Sequence, residues 1–314
     1  MEKQFNQIER YISKSDKILI LFHESPDGDT ISSSLALYTY LMRLGKKVDL
    51  GVKGEIPAFF TFLTSPYKIL NDFLLGDYDL IFAIDCGDAS RTGFPERIEQ
   101  VSRSRILINI DHHLRNDLHK IATLNVVDTT VSSAAEIIFD ILKYFKFEID
   151  SRIATYILSG IYYDTGGFQH SNVSTKTLKI ASECLRSGAR MGLISNNISN
   201  SKSSSGLKLW GKALEKMKFK GGIVSTYLTV DDIEKCEAKG EDAAGVANLI
   251  NTMPESRLSV LFLESSDGKI KASLRTEDDR VDVSLLARLF GGGGHRKAAG
   301  FTLEKSEFLG IVNR

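Results

Sequence analysis

Aspartate recurs at three places in the first half of the chain, twice with histidine beside it, each time directly after a short apolar run. Lys17–Phe22 (KILILF) runs into His23-Glu24-Ser25-Pro26-Asp27-Gly28-Asp29. Leu80–Ile84 (LIFAI) runs into Asp85-Cys86-Gly87-Asp88, and Ile106–Ile110 (ILINI) into Asp111-His112-His113. A further carboxylate, Asp164, follows the apolar segment Arg152–Tyr163. Carboxylate and imidazole together are metal ligands. Carboxylate suits Mg2+ or Mn2+, and imidazole shifts the preference toward Mn, Fe, Co or Zn. Pro26 and Gly28 give the first loop a tight path, so that Asp27 and Asp29 can address neighbouring positions. One aspartate placed between two ions bridges them at about 3.5–4 Å, the arrangement of two-metal phosphoesterases. Taken singly, an aspartate after a strand is usually a helix cap or turn residue. Three such clusters and Asp164 in one chain make that reading improbable.

The elements that must position these groups are legible in the same stretch. Continuous apolar runs are expected of parallel strands covered on both faces. Thr30–Leu44, with Ile31, Leu35, Leu41 and Leu44 at helical spacing, predicts a helix, and Val48–Val52 a further strand. Ser132–Tyr144 and Arg152–Tyr163 predict two more helices. Strand–helix alternation predicts the α/β class, with a doubly wound, mostly parallel sheet. Ligands of open α/β sheets bind outside the carboxyl ends of the strands. The three clusters would therefore converge on one edge.

A break is expected near residues 187–206, where Ser199–Ser205 (SNSKSSS) reads either as a linker or as the polar start of a helix through Leu207–Met217. Gly222–Leu228, Leu258–Leu263 and Ile270–Leu274 read as strands, the last two joined by the hairpin signal Asp267-Gly268. The expected layout is a catalytic domain over 1–186, a linker or helix over 187–220, and a smaller α/β domain over 221–314. In the latter, Leu285–Phe290 leads to Gly291–Gly294, then His295, Arg296 and Lys297, before an expected short helix at Ala298. Glycines let backbone N–H groups approach an anion, and a helix N-terminus favours negative charge. His295 and Arg275 would add charge-assisted hydrogen bonds to phosphate. A plain glycine hinge between elements is the equal alternative, and the pattern is a poor match to a dinucleotide-binding fingerprint.

Composition narrows the class. The 314 residues suit two domains, and 42% hydrophobic and 25% charged residues suit ordinary cores. With Lys+Arg at 40 and Asp+Glu at 40, the chain does not read as a protein that coats long nucleic acid by charge. Cys86, Cys184 and Cys236 are widely spaced with no CxxC, so free thiols and a cytoplasmic location are expected. The polar stretch Met1–Asp16 has no signal-peptide apolar core. No run approaches the roughly 20 apolar residues that span a bilayer.

The motifs HESPDGD, AIDCGD, IDHH and YYDTGGF, followed by GGGGHRKAAG, resemble in order and spacing those of the DHH phosphoesterase superfamily with its associated C-terminal domain. The resemblance runs from about Lys17 to Phe301, and the layout is most similar to the bacterial nano-RNase A group. Members of that group degrade very short oligoribonucleotides and remove the 3′-phosphate from 3′-phosphoadenosine 5′-phosphate (pAp). The resemblance implies two divalent ions, Mn2+ first, with Mg2+ or Co2+ as substitutes. It assigns His23, Asp27 and Asp85 to one ion, and Asp29, Asp85, His112 and Asp164 to the other. Asp111 would orient the histidines, and His113 would face the scissile phosphate. Arg275, His295 and the backbone of Gly293 and Gly294, with Arg296 beside them, would hold the substrate's far end. The cleft between the domains would then measure substrate length. Phe168 or His170 would stack on a base, with simple packing beside Asp164 as the equal alternative.

The chain departs from the family pattern at Ser32, where glycine is usual, and at Gln169, where arginine is common. The partners implied are short RNA and pAp, with no long duplex nucleic acid and no membrane; a homodimer is left open. The competing reading is a phosphodiesterase for cyclic dinucleotides or linear pApA. A RecJ-like exonuclease, a manganese pyrophosphatase and a metal-free nucleotide sensor are weaker, the last because no ligand of the motif set is missing.

Overall fold

In the first of two compact units, Met1–Ser201, the apolar runs become parallel strands. The computed structural model describes residues 1–65, 67–113, 117–199 and 203–312. The strands are β1 (Lys17–Leu21), β2 (Lys47–Gly51), β3 (Ile69–Leu70), β4 (Leu80–Ile84), β5 (Ile106–Asp111) and β6 (Leu124–Val127). They form a sheet in the order β3-β2-β1-β4-β5-β6, and every pairing is parallel. The register aligns Leu21 of β1 with Ala83 of β4, and Ile84 of β4 with Ile110 of β5. The three motif-bearing strands therefore end side by side.

Side chains alternate across a strand, and both faces of this sheet are covered. Ile18, Ile20 and Phe22 share one core with Leu35, Ile138 and Ile157 of the helices Gly28–Arg43, Ala134–Tyr144 and Ser151–Asp164. Leu19, Leu21, Ile81 and Leu107 face the other way, onto Phe94, Ile98 and Val101 around the helix Pro95–Ser104. This is the doubly wound architecture expected from the sequence. A helix over Glu2–Ser13 was not expected there; its signal is the buried stripe Phe5, Ile8 and Ile12 in an otherwise polar segment. The strands β3 and β6 also escaped, being too short to show a period.

The second unit, Lys202–Arg314, carries a mixed sheet of β7 (Lys218–Lys220), β8 (Ile223–Leu228), β9 (Leu258–Glu264), β10 (Lys269–Arg275), β11 (Gly293–Gly294) and β12 (Ala298–Glu304). The order is β11-β12-β10-β9-β8-β7, with β8 and β9 parallel and the other neighbours antiparallel. The β9–β10 hairpin turns at Asp267-Gly268 as expected, with Gly268 at φ +83°. Of the serine-rich stretch, residues 200–202 lie outside the described set. Ser203 accepts from the Gly206 N–H and caps the helix Ser204–Glu215, which is the polar helix start.

One expectation is overturned. Ala298 begins a strand, not a helix. Ala299, Phe301 and Leu303 are buried while Thr302 and Glu304 are exposed, a period of two that no helix satisfies. The glycine run accordingly lies between the helix Val283–Leu289 and a hairpin, and no helix N-terminus follows it to attract an anion.

Candidate metal centre

In the order 3-2-1-4-5-6 the chain direction of strand addition reverses at β1 and β4, and ligands of such sheets bind outside the strand ends at that point. All three His/Asp clusters sit there. The segment after β1 bends at Ser25 (φ +53°) and enters the helix Gly28–Arg43 through Asp27. Asp27 is the N-cap of that helix, its Oδ1 accepting the N–H groups of Asp29 and Thr30 at 3.0 and 3.2 Å. His23 is buried, and its Nδ1 lies 2.8 Å from the Glu24 carbonyl. A carbonyl only accepts, so Nδ1 carries a proton; burial opposes charge on the ring, but Asp27 and Asp85 raise its proton affinity. Its Nε2 makes no hydrogen bond among the described residues and lies 3.7 Å from Asp27 Oδ1. His23, Asp27 and Asp85 each bring a ligand atom within 4.8 Å of the others.

The second set is Asp29, His112 and Asp164, gathered within the same limit. His112 Nε2 lies 3.2 Å from Asp164 Oδ2, 3.4 Å from Asp85 Oδ1 and 3.9 Å from Asp29 Oδ2. Asp85 thus stands against both sets. It holds φ +57°, a left-handed conformation that a non-glycine residue adopts at a cost of about 1–3 kcal/mol. Asp29 Oδ1 accepts from Ser33 Oγ and the Ala135 N–H, both at 3.0 Å, and Oδ2 accepts the Ala134 N–H at 2.5 Å. Only Oδ2 therefore retains room for an ion, and Asp29 would bind it through one oxygen. Asp164 is the last residue of its helix, where a carboxylate opposes the helix dipole.

Two glycines make this convergence sterically feasible. A side chain at Gly28 would meet the ring of Tyr163 at 2.4 Å, and one at Gly160 would meet Asp29 Oδ1 at 2.6 Å. Gly160 also faces Ser32, so the extra bulk of serine at 32 is accommodated from the opposite helix.

The electrostatics call for a cation. Burial disfavours charge on Asp29, and the neighbouring Asp85 and Asp164 add repulsion, so its carboxyl sits well above the usual range. Burial likewise raises Asp164, with His112 opposing. Burial acts against charge on His112 too, but Asp164 and Asp85 outweigh it and hold its proton affinity well above normal. A divalent ion here would relieve the carboxylate repulsion and take the place of that proton. With His23 Nε2 buried and without a hydrogen-bond partner among the described residues and a mixed carboxylate–imidazole donor set, the residues fit hard-to-borderline divalent cations.

Asp111 and His113 belong to the same edge but are engaged with each other. Asp111 Oδ1 accepts from His113 Nδ1 at 2.7 Å and from its backbone N–H at 3.0 Å; Oδ2 accepts the Gly87 N–H at 2.9 Å. Burial opposes charge on His113, yet Asp111 and Asp85 push its proton affinity up to about 10. The two carboxylates thus favour the charged form of this imidazole. Asp111 holds the His113 ring at Nδ1, the kind of contact that fixes an imidazole's tautomer and orientation.

The loop after Asp164 contains three successive left-handed residues, Gly166, Gly167 and Phe168. The half-buried Phe168 packs edge-on against Tyr162 at 5.9 Å. The His170 ring fills the space over Gly166, and its Nδ1 lies 3.2 Å from the Asp164 carbonyl. Both residues shape the backbone that presents Asp164. Gln169 is exposed.

In the second unit, Arg275 at the end of β10 donates from Nε to Asn248 Oδ1 at 2.7 Å and from Nη1 to its neighbour's carbonyl, Leu274 O, at 2.8 Å. His295 opens the tight turn between β11 and β12, its N–H donating to Ala298 O at 2.7 Å. Arg296 is exposed and donates to the Asp279 carbonyl, while Lys297 holds Glu277 O at 2.9 Å and Asp279 Oδ1 at 2.7 Å. These two cations thus brace the loop before the helix Val283–Leu289. Gly292 and Gly294 are needed for strand packing, since a Cβ would lie 2.1 Å from Gly300 O and 2.5 Å from Ala299 Cα. Gly293 is exposed with open space at its Cβ position.

Sequence reasoning missed Glu136 and Asn172. The signal for Glu136 is a lone carboxylate in the otherwise apolar Ala134–Phe139, where it is fully buried. Nothing in sequence marks Asn172.

Comparison with known proteins agrees with this geometry. The model of the DHH family, N-terminal domain, matches residues 17–161, and that of the DHHA1 domain matches residues 223–312. A bifunctional oligoribonuclease and PAP phosphatase of Thermus thermophilus is 31% identical over 91% of this chain and 84% of its own length. A Bacillus subtilis protein of the same name is 27% identical over 94% of this chain and 91% of its own. The crystal structure of an exopolyphosphatase-related protein from Bacteroides fragilis superimposes with a TM-score of 0.89 at 27% identity, covering 100% of this chain and 95% of that one. No helix among the described residues is long and apolar enough to cross a membrane. With the strand-end ligand sets in place and both models matched in order, the chain belongs to the DHH family of phosphoesterases, with a DHHA1 domain in its second unit.

Proposed function

We propose that this chain is a two-metal, Mn2+-dependent phosphodiesterase that degrades very short oligoribonucleotides to mononucleotides and removes the 3′-phosphate of pAp. The observation that carries the reading is the pair of ligand sets, His23/Asp27/Asp85 and Asp29/His112/Asp164, meeting at Asp85 on the carboxyl edge of a parallel sheet. The activity for which relatives aligning along almost the whole chain are named supports the substrate class. Divalent ions held there supply Lewis acidity and a lowered water pKa, which is what phosphodiester hydrolysis at neutral pH requires.

The chain's own residues then have defined tasks. Asp27, Asp29, Asp85 and Asp164 offer negative charge that two dications would offset, so a phosphate can enter the cluster. His113, charged through Asp111 and Asp85, faces the scissile phosphate, stabilises its developing charge and delivers a proton toward the leaving oxygen. Asp111 fixes the imidazole by accepting at Nδ1, which leaves the proton to be moved on Nε2. No side chain need act as nucleophile: the nearest thiol, Cys86, is buried, and burial pushes its proton affinity well up. Arg275, His295 and the Gly293–Gly294 backbone bind the substrate's far-end phosphate or sugar. Three buried free cysteines support a reducing, cytoplasmic setting.

The test is a side-by-side turnover assay with Mn2+ on a 5′-phosphorylated RNA dinucleotide, pAp, a long RNA and cyclic di-AMP. Fast turnover of the dinucleotide and pAp with little on the long RNA is expected. Preference for cyclic di-AMP would move the activity to second-messenger hydrolysis, and efficient cleavage of the long RNA would overturn the short-substrate reading.

A further inference from the structure

We infer that Glu136, a residue that touches neither ion set, fixes the spacing of Asp29 and Asp164 and so sets metal affinity at the second position; the inference rests on the two-ion reading above. Glu136 is fully buried in the first turn of the helix Ala134–Tyr144. Its Oε1 takes three hydrogen bonds: the Ser132 N–H at 3.2 Å, Ser132 Oγ at 2.5 Å and Thr177 Oγ1 at 2.7 Å. Its Oε2 is buried with no hydrogen-bond partner among the described residues. A carboxylate buried with half its acceptors idle is costly. Its retention is explained by what the other oxygen holds together.

One arm leads to Asp29. Ser133 is the N-cap of the helix Ala134–Tyr144, but its side chain makes no cap bond. The cap comes from another element, because Asp29 accepts the N–H groups of Ala134 and Ala135. Glu136 closes the same turn from inside by holding Ser132. The position of the helix start, and hence of the Asp29 carboxylate bound to it, follows Glu136. The other arm leads to Asp164. The Ser132 carbonyl and the Asp164 carbonyl both accept from Asn172 Nδ2, each at 3.2 Å. Thr177 belongs to the capping box that starts the helix Thr175–Arg186, where the loop from Asp164 ends. One carboxylate oxygen thus ties down both ends of the frame across which Asp29 Oδ2 and Asp164 Oδ2 face His112. Among the hydrogen bonds described, the His23/Asp27/Asp85 set meets this frame through Asp27, which accepts the Asp29 N–H at 3.0 Å, and none of the three bonds to Ser132, Glu136, Asn172 or Thr177.

The test is Mn2+ binding to the whole chain, followed by calorimetry and by Mn2+ spin-resonance signal, with thermal melting beside it. Wild type should bind two ions. Glu136→Ala should keep one at wild-type affinity and bind the other at least tenfold more weakly, whereas Glu136→Gln, which preserves the triple acceptor, should stay within threefold of wild type. Should Glu136→Ala fail to fold, Asn172→Ala and Ser132→Ala each remove one arm and should weaken only the same ion, several-fold. Unchanged binding in these variants, or equal weakening of both ions in a folded variant, overturns the inference. A wild type that binds fewer than two ions instead overturns the two-ion reading, and this inference with it.

Discussion

The carboxyl edge of the first unit and the glycine hairpin of the second are both dense in motif residues, yet they are built on opposite terms. At the edge, Asp29, Asp85, Asp111 and His112 are all but inaccessible to solvent. Asp85 is held in a left-handed conformation, and burial with neighbouring carboxylates raises the proton affinities of Asp29 and Asp164, a crowding of negative charge that a bound cation would relieve. At the hairpin, Gly293, Gly294 and Arg296 are exposed, and much of the motif does structural work: Arg296 and Lys297 brace a loop, and Gly292 and Gly294 permit strand packing. A motif read as one functional unit is therefore uniform in the first case and composite in the second.

That contrast is broken most sharply at Asp85. Asp85→Ala should abolish turnover on every substrate, because both ligand sets lose a member. Mn2+ stoichiometry should fall at the same time. Activity near wild type would show that the two sets do not share this residue. The next effect is at Asp111. Asp111→Asn keeps the shape but weakens the grip on His113 and on the Gly87 N–H, and should lower turnover by about 10–100-fold, the range for residues that orient metal-site groups. The check is kcat with Mn2+ saturating; a change confined to KM would mean that Asp111 acts on substrate rather than on His113.

The second unit should respond selectively. Arg275→Ala removes a charged hydrogen-bond donor worth about 1.5–3 kcal/mol. It should weaken action on short RNA by about tenfold or more while sparing a small generic phosphodiester. Equal loss on both substrates would mean that the Arg275–Asn248 contact serves the fold instead.

The same contrast explains what could be read from sequence. The edge was legible because strand-end position, residue type and burial agree: Ile18–Leu21 and Leu80–Ile84 are wholly apolar, Ile106–Ile110 is apolar but for the buried Asn109, and the polar cluster after each has few structural excuses. What stayed hidden there was the support. Glu136 and Asn172 act through side-chain hydrogen bonds, among them Thr177 to Glu136 and Asn172 to the Ser132 carbonyl, which join segments far apart in the chain, and such pairings have no period or composition. In the second unit the helix expected at Ala298 was misread because Lys297-Ala298-Ala299 suits a helix locally. The alternation of Ala299, Phe301 and Leu303 against β10 overrides that preference, as tertiary context commonly does. The Phe5, Ile8 and Ile12 stripe was readable and was passed over because the segment's mean polarity hides a single apolar face.

The smallest and most diagnostic effect is expected within the glycine run. Gly292→Ala forces a Cβ to 2.1 Å from the Gly300 carbonyl and should destabilise the second unit by about 1–3 kcal/mol, the range for overpacking. Gly293→Ala has open space around the added methyl and a backbone with φ outside the left-handed region. Its effect on unfolding should stay within about 0.5 kcal/mol, as for an ordinary surface change. The fold therefore gives no reason for glycine at 293, whereas close approach of a ligand to the backbone does. Gly293→Ala should then raise KM for the RNA dinucleotide with kcat and melting temperature nearly unchanged. If KM stays at wild type, the backbone at 293 does not meet substrate, and the run is a packing device whose four glycines serve the hairpin alone.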